Sequence, residues 1–269
     1  MTVDSIQKIV RLLLQGKAID GFLGYKKVGG QVVPFFFSAD PSDDLAGWVS
    51  QDPLPRYPLE KILVEIHRAH PEAKLSLLAR ECDTRALMEL MKLNQLDPEK
   101  VLSIPLACCA SDLHCSTECS HLDPRSRKVD GQVLPERGVG KFTALEQLEK
   151  LSLEERLRRW REEFAKCIKC YGCRNVCPLR VCKECSLEDE ELIPTGQIPP
   201  DFSFHLIRAV HMAGFCIDCG LCEEACPAEI PLRLFYQGVN QIVAKLFGYR
   251  PGMDMIPSPF CRIGLEGVQ

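Results

Sequence analysis

The first 81 residues of this 269-residue chain contain no cysteine, although the whole chain has 16. Also missing is any uninterrupted apolar run near the ~18 residues that a membrane-spanning helix requires, so no direct membrane span is expected. There is no basic excess: 33 Lys and Arg stand against 37 Asp and Glu. That removes the electrostatic footprint of a nucleic-acid binder, and nucleic acid is not expected as a partner. The opening stretch, MTVDSIQKIVRLLLQGKAID, lacks the basic n-region and small-residue cleavage site of a signal peptide, so a cytoplasmic location is expected. No Gly-x-Gly-x-x-Gly fingerprint of a dinucleotide fold occurs. What the chain does have is 46% hydrophobic residues, enough for a sizeable core and too many for wholesale disorder.

The cysteines are clustered. Cys82 stands upstream of a group at Cys108, Cys109, Cys115 and Cys119; ten more lie between Cys167 and Cys226, and Cys261 is alone near the end. In a reducing compartment such thiols serve as metal ligands rather than disulfides. The distribution predicts a cysteine-poor N-terminal domain and a metal-bearing C-terminal one.

The N-terminal region alternates helix and strand signals. Residues 5–15 carry apolar positions at helical spacing, and 19–26 and 31–37 read as strands joined by Gly29-Gly30. A helix is expected over 58–69 with Pro58 in an early position, a strand over 74–79, a helix over 83–95 capped by Asp83, and a strand over 101–107. Strand–helix–strand at this spacing implies a parallel pair. Residues 120–142 form the expected linker. Thr143 with Glu146 and Ser152 with Glu155 are capping boxes, the second opening a helix with Leu153, Leu157, Trp160 and Phe164 on one face.

The strongest signal is an internal repeat. CIKCYGCRNVCP from Cys167 to Pro178 recurs as CIDCGLCEEACP from Cys216 to Pro227, every cysteine and the closing proline offset by 49 residues. Three cysteines two residues apart wrap one face of a cubane, and the intervening turns aim backbone N–H groups at the sulfurs. The fourth, held extended by the following proline, reaches the other cluster, as in bacterial two-cluster ferredoxins. The expected sets are Cys167, Cys170, Cys173 and Cys226 on one [4Fe-4S] cluster, and Cys216, Cys219, Cys222 and Cys177 on the other. Zinc sites instead pair two CxxC elements. Lys166, Lys169, Arg174 and Arg180 surround the first motif, whereas Asp218, Glu223, Glu224 and Glu229 surround the second. This contrast predicts the higher potential at the first cluster and electron flow from the second to the first; the alternative is solvated faces with little effect.

Other residues leave alternatives open. Cys182 and Cys185 have no counterpart in the second repeat; they replace Cys177, bind a separate metal, form a redox pair or are structural. Cys82, Cys109 (or its neighbour Cys108), Cys115 and Cys119 converge on a third [4Fe-4S] site if strands 74–79 and 101–107 are parallel neighbours; zinc with His114 or His121, or free thiols, are the alternatives. His205 and His211 fall on a helix capped by Asp201 and are expected on its surface; the alternative is that they tune a cluster by hydrogen bonding. A helix from Pro231 to Phe247 places Leu234, Val239, Ile242, Val243 and Leu246 for core or subunit packing, with Gly248 ending it. The tail from 250, with Cys261, is an arm on a partner or a disordered end.

With ARECDTRALMELMKLNQLDPEKV at 79–101, the two cysteine motifs, and PLRLFYQGVNQIVAKLFGYRPG at 231–252, the chain resembles the β subunits of deazaflavin-dependent hydrogenases and formate dehydrogenases. The resemblance is to the short dicluster branch associated with heterodisulfide-reductase-like and formate-oxidising complexes. It implies an iron–sulfur electron-transfer subunit of a cytoplasmic oxidoreductase, with partner subunits carrying flavin, molybdenum, tungsten or nickel centres. Longer members hold FAD in the α/β domain; here that domain is short, and Gly138-Val139-Gly140-Lys141 has Phe142 where a phosphate loop needs a hydroxyl. The expected fold is α+β: an α/β domain with a partly parallel sheet over 1–135, a helical connector over 136–165, a two-cluster ferredoxin domain over 166–249, and a tail over 250–269. The alternatives are a flavin-containing subunit that accepts hydride and feeds its own clusters, and a zinc-stabilised interaction module.

Overall fold

The computed structural model describes residues 3–38, 45, 47–49, 54–106, 128–129, 132–133 and 143–261. The chain is α+β and divides into two compact units, Met1–Gly140 and Lys141–Gln269.

The first unit is built on a mixed sheet. Strands β1 (Gly21–Val28) and β2 (Gln31–Ser38) form an antiparallel hairpin. Its turn is Gly29-Gly30, both at positive φ (58° and 87°), the geometry that suits the twist of a two-residue hairpin loop. Strands β3 (Leu75–Ala79) and β4 (Val101–Pro105) extend the sheet in the order β2-β1-β3-β4, with β1, β3 and β4 parallel. The sequence LSLLA has no polar–apolar alternation because β3 is buried along its whole length. A short antiparallel pair, β5 (Lys128–Val129) and β6 (Gln132–Val133), forms a second sheet.

Helices α1 (Val3–Gln15), α2 (Leu59–Ala69) and α3 (Glu81–Lys92) complete this unit. The core is Phe22, Phe37, Leu63, Leu75, Leu77 and Leu90, all essentially without exposure. Helix α3 begins two residues earlier than expected. Asp83 is not its cap but the third helical residue, and its Oδ2 accepts the Arg80 backbone N–H at 2.8 Å. The carboxylate closes the helix start from inside, which a scan for an acidic residue just before the helix misplaces.

The second unit is helical among its described residues: α4 (Thr143–Lys150), α5 (Leu153–Phe164), α6 (Gly172–Asn175), α7 (Phe202–Met212), α8 (Leu221–Glu224) and α9 (Leu232–Phe247). The Ser152 capping box forms, with Ser152 Oγ accepting the Glu155 amide at 3.2 Å and Glu155 Oε2 the Ser152 amide at 2.8 Å. Only the end of the predicted α5 stripe is buried. Trp160 and Phe164 pack on Phe235 at ring distances of 4.8 and 5.1 Å, whereas Leu153 and Leu157 are exposed. In α9 the buried face is Leu232, Leu234, Tyr236 and Val243, while Ile242 and Leu246 face outward. Gly248 ends α9 in the left-handed conformation (φ 63°).

The tail is packed in part: Tyr249 and Ser258 are buried, while Met253, Met255 and Ile256 are exposed. Gly214, at φ 73°, lies so close to it that a Cβ would sit 2.5 Å from Ser258 Oγ. Residues 262–269 lie outside the described residues. No helix among the described residues is long and apolar enough to cross a membrane.

Candidate metal centre

The two cysteine motifs share a backbone as well as a spacing. Positive φ angles occur at Lys169 (54°) and Tyr171 (58°), and again at Asp218 (55°) and Gly220 (82°), the equivalent positions of the repeat. Each pair reverses the chain between cysteines and leads into a one-turn helix, α6 or α8. The turns aim amides at sulfur as expected: Lys169 N–H donates to Cys167 Sγ at 3.4 Å and Gly172 N–H to Cys170 Sγ at 3.5 Å. The repeats approach closely, since a Cβ on Gly172 would meet the Ala225 carbonyl oxygen at 3.1 Å.

The cysteines line two cavities. One is bordered by Cys167, Cys170, Cys173 and Cys226; the other by Cys177, Cys216, Cys219 and Cys222. Each joins three thiols of one repeat to the fourth of the other. No three His, Cys, Asp or Glu among the described residues are grouped to hold a single metal ion.

Burial pushes the Cys216 thiol up to about 12, with Asp218 adding to it. Burial also raises Cys222 well above an ordinary thiol, and raises Cys173 and Cys167. Such thiols keep their protons until a cation displaces them. Three buried side chains around the cavities hold polar atoms with no hydrogen-bond partner among the described residues: both ring nitrogens of His205 in the first, Arg208 Nε and Tyr236 Oη in the second. All three groups can donate, and cluster sulfur accepts. The residues present are therefore compatible with an iron–sulfur cluster in each cavity.

Several sequence expectations change. His205 is not on a helix surface: it is 1% exposed and stacks on Phe164 with ring centroids 3.9 Å apart. Burial lowers its pKa to about 4, with Arg208 a second cause, so the ring is neutral. Part of the charge contrast between the motifs is paired off. Arg174 meets Glu188 at 2.6 Å, Lys166 meets Glu163 at 2.8 Å, and Lys169 Nζ donates to the Pro194 carbonyl at 2.6 Å. On the second motif, Asp218 is buried against Arg233 at 2.7 Å. Sequence reading did not single out Arg208 or Tyr236. The available signal was an arginine three residues after His205 on an otherwise apolar helix, which places both on one face.

Cys182 and Cys185 line neither cavity. Cys182 is exposed; Cys185 packs beside Cys167 and Tyr171 on Leu187, Ile193 and Phe204. In the first unit, β3 and β4 are parallel neighbours, the condition set for a third site. Cys82 is the second residue of α3, the helix that follows β3, with its Sγ 3.4 Å from Asp83 Oδ1. Around it Arg80 donates to Tyr25 Oη at 3.3 Å and to the Pro55 carbonyl at 3.0 Å, and Glu60 is buried. Cys108, Cys109, Cys115 and Cys119, with His114 and His121, lie outside the described residues, as do Gly138 to Phe142.

No protein-family model matches the chain. Part of it is similar to the F420-dependent formate dehydrogenase subunit beta of Methanocaldococcus jannaschii, at 41% identity over 121 residues. The match covers 44% of this chain and 32% of that relative. The F420-dependent formate dehydrogenase 1 subunit beta of Methanococcus maripaludis is 45% identical over 106 residues, 38% of this chain and 27% of the relative. Over the matched part, the resemblance read from the motifs holds; the match spans about a third or less of each curated relative's length.

Proposed function

We propose that this chain is an iron–sulfur electron-transfer subunit of a multi-subunit oxidoreductase, and that its second unit is a two-cluster ferredoxin domain. The observation that carries the reading is the crossed lining of the cavities: Cys226 borders the cavity of the first repeat and Cys177 that of the second. A pair of independent zinc knuckles has no need of that crossing. Bound there, [4Fe-4S] clusters would supply one-electron transfer. The chain's own residues would hold each cluster with four thiolates, donate amides to the sulfurs, and bury the sites among Phe204, Ile230, Leu232 and Tyr236.

A carrier of single electrons does not by itself oxidise formate or hydrogen, so the substrate chemistry belongs to a partner subunit with a flavin, molybdenum, tungsten or nickel centre. The formate dehydrogenase names of the two relatives support an assembly of this kind. Anaerobic purification of the complex from its source tests the reading in one step, by counting iron, acid-labile sulfide and flavin and identifying the co-purifying chains. Two clusters' worth of iron and sulfide, no flavin on this chain and a redox partner are expected; a third cluster in the first unit adds half as much iron again. Stoichiometric zinc with no sulfide would overturn it, and flavin bound to the isolated chain would favour a hydride-accepting subunit.

A further inference from the structure

Among the described residues that line the two cavities, one charge has no carboxylate partner: Arg208, in the middle of α7. Arg208 is 5% exposed and lines the cavity of Cys177, Cys216, Cys219 and Cys222. Its Nη2 donates to the Cys173 carbonyl at 2.8 Å, and its Cζ lies 5.7 Å from the ring centre of Tyr236. No carboxylate pairs with it among the described residues. A guanidinium does not release its proton, and a buried charge without a counter-charge is strongly destabilising. The groups it faces are Tyr236 and the cysteines of that cavity.

The other cavity has no such charge. Its lining holds no Lys or Arg, and its one imidazole is that of the buried His205. Arg233 does border the second cavity, but Asp218 neutralises it at 2.7 Å. The electrostatic contrast is thus the reverse of the one read from residues beside the motifs, because exposed and paired charges count for little while a buried unpaired one is hardly screened.

We propose that Arg208 sets the potential of the second cluster, making it the easier of the two to reduce, so that a single electron shared between the sites rests on the second. This rests on the two-cluster reading above. A four-thiolate cluster is a net anion that gains one further negative charge on reduction. A fixed cation beside it stabilises that state, and the low dielectric that penalises the added charge also strengthens the attraction. Arg208 lines the cavity of the second set and does not line that of the first.

The test is EPR-monitored redox titration of the anaerobically loaded full-length chain. In the unaltered protein, Cys219→Ser should perturb the higher-potential signal and Cys170→Ser the lower; the opposite order overturns the proposal without any change at Arg208. In Arg208→Gln, the reduction equilibrium of the second cluster should fall about tenfold or more, about 59 mV for one electron, and that of the first by less. Arg208→Lys should restore most of the difference. Equal shifts, a larger shift at the first cluster, or none would each overturn it. Should Arg208→Gln not retain its iron, the order of potentials in the unaltered chain and the lysine variant still decide. A chain that never binds iron and sulfide refutes the two-cluster reading itself, a result separate from any ordering of potentials.

Discussion

Asp218 and Arg233 form a buried ion pair, with Arg233 Nε donating to Asp218 Oδ1 at 2.7 Å and Nη2 to Oδ2 at 3.3 Å. Gln237 Nε2 adds a bond to each oxygen, at 3.1 and 3.2 Å. The pair ties the turn between Cys216 and Cys219, where Asp218 holds a left-handed backbone (φ 55°), to the first two turns of α9. A residue that reads in sequence as part of an acidic patch is instead the anchor of the second motif.

Removing one side of this pair should be far worse than removing both. Asp218→Asn leaves a guanidinium buried without its carboxylate and should cost about 3–5 kcal/mol, whereas the same change combined with Arg233→Met should cost much less. A double-mutant cycle by urea unfolding measures the difference. Additive losses would mean that the two side chains act independently.

Cys182 and Cys185 should be dispensable for metal. Both lie outside the two cavities, so the double change to Ser should leave iron and sulfide per chain unaltered. Cys185→Ser introduces a hydroxyl beside Leu187, Ile193 and Phe204, and a stability loss on the order of 1 kcal/mol is expected. Loss of a cluster's worth of iron in the double variant would place these thiols among the ligands.

The sheet was legible because its signals are local. The Gly29-Gly30 turn, the mostly apolar run of β3 and the helix after it each depend on neighbours in sequence. The grouping of the cysteines around two cavities was legible because spacing and the following proline determine reach. Charges were misleading for the opposite reason. Arg233 lies 15 residues from Asp218, and Glu188 lies 14 from Arg174, so nothing in either motif announces the partner. His205 was misplaced because a helix with apolar residues on most of its faces does not reveal which one is covered; Phe164, on another helix, covers this one.

Ligand exchange between the repeats gives a sharp crossed phenotype. Cys226→Ser belongs by sequence to the second motif but should damage the site of Cys167, Cys170 and Cys173. The signal that survives should then respond to Cys219→Ser and not to Cys170→Ser. Cys177→Ser should give the reciprocal result. Damage confined to the repeat that carries the mutation would refute the exchange, even if the iron lost were the same.

Glu60 should make the first unit less stable as pH rises. Its carboxyl is buried on α2, and burial, followed by the negative charge of Asp83, holds its pKa well above the ordinary range. Asp83 is itself committed to the Arg80 amide and guanidinium. In the unfolded chain Glu60 releases its proton near the ordinary value of about 4.3, while the folded chain keeps it to higher pH. The folded state therefore binds more protons above that value, and stability declines with rising pH until the folded pKa is passed. Glu60→Gln preserves the shape and can still donate toward Asp83, but it does not titrate. From about pH 5 to about pH 8 the urea midpoint of the variant, followed by Trp48 fluorescence in a Trp160→Phe background, should gain on that of the parent. The two should converge towards the acid end, where the parent's Glu60 is protonated in both states. Parallel curves across that range would show that Glu60 is ionised in the folded protein, and that the Arg80 and Asp83 network carries one more negative charge than its burial favours.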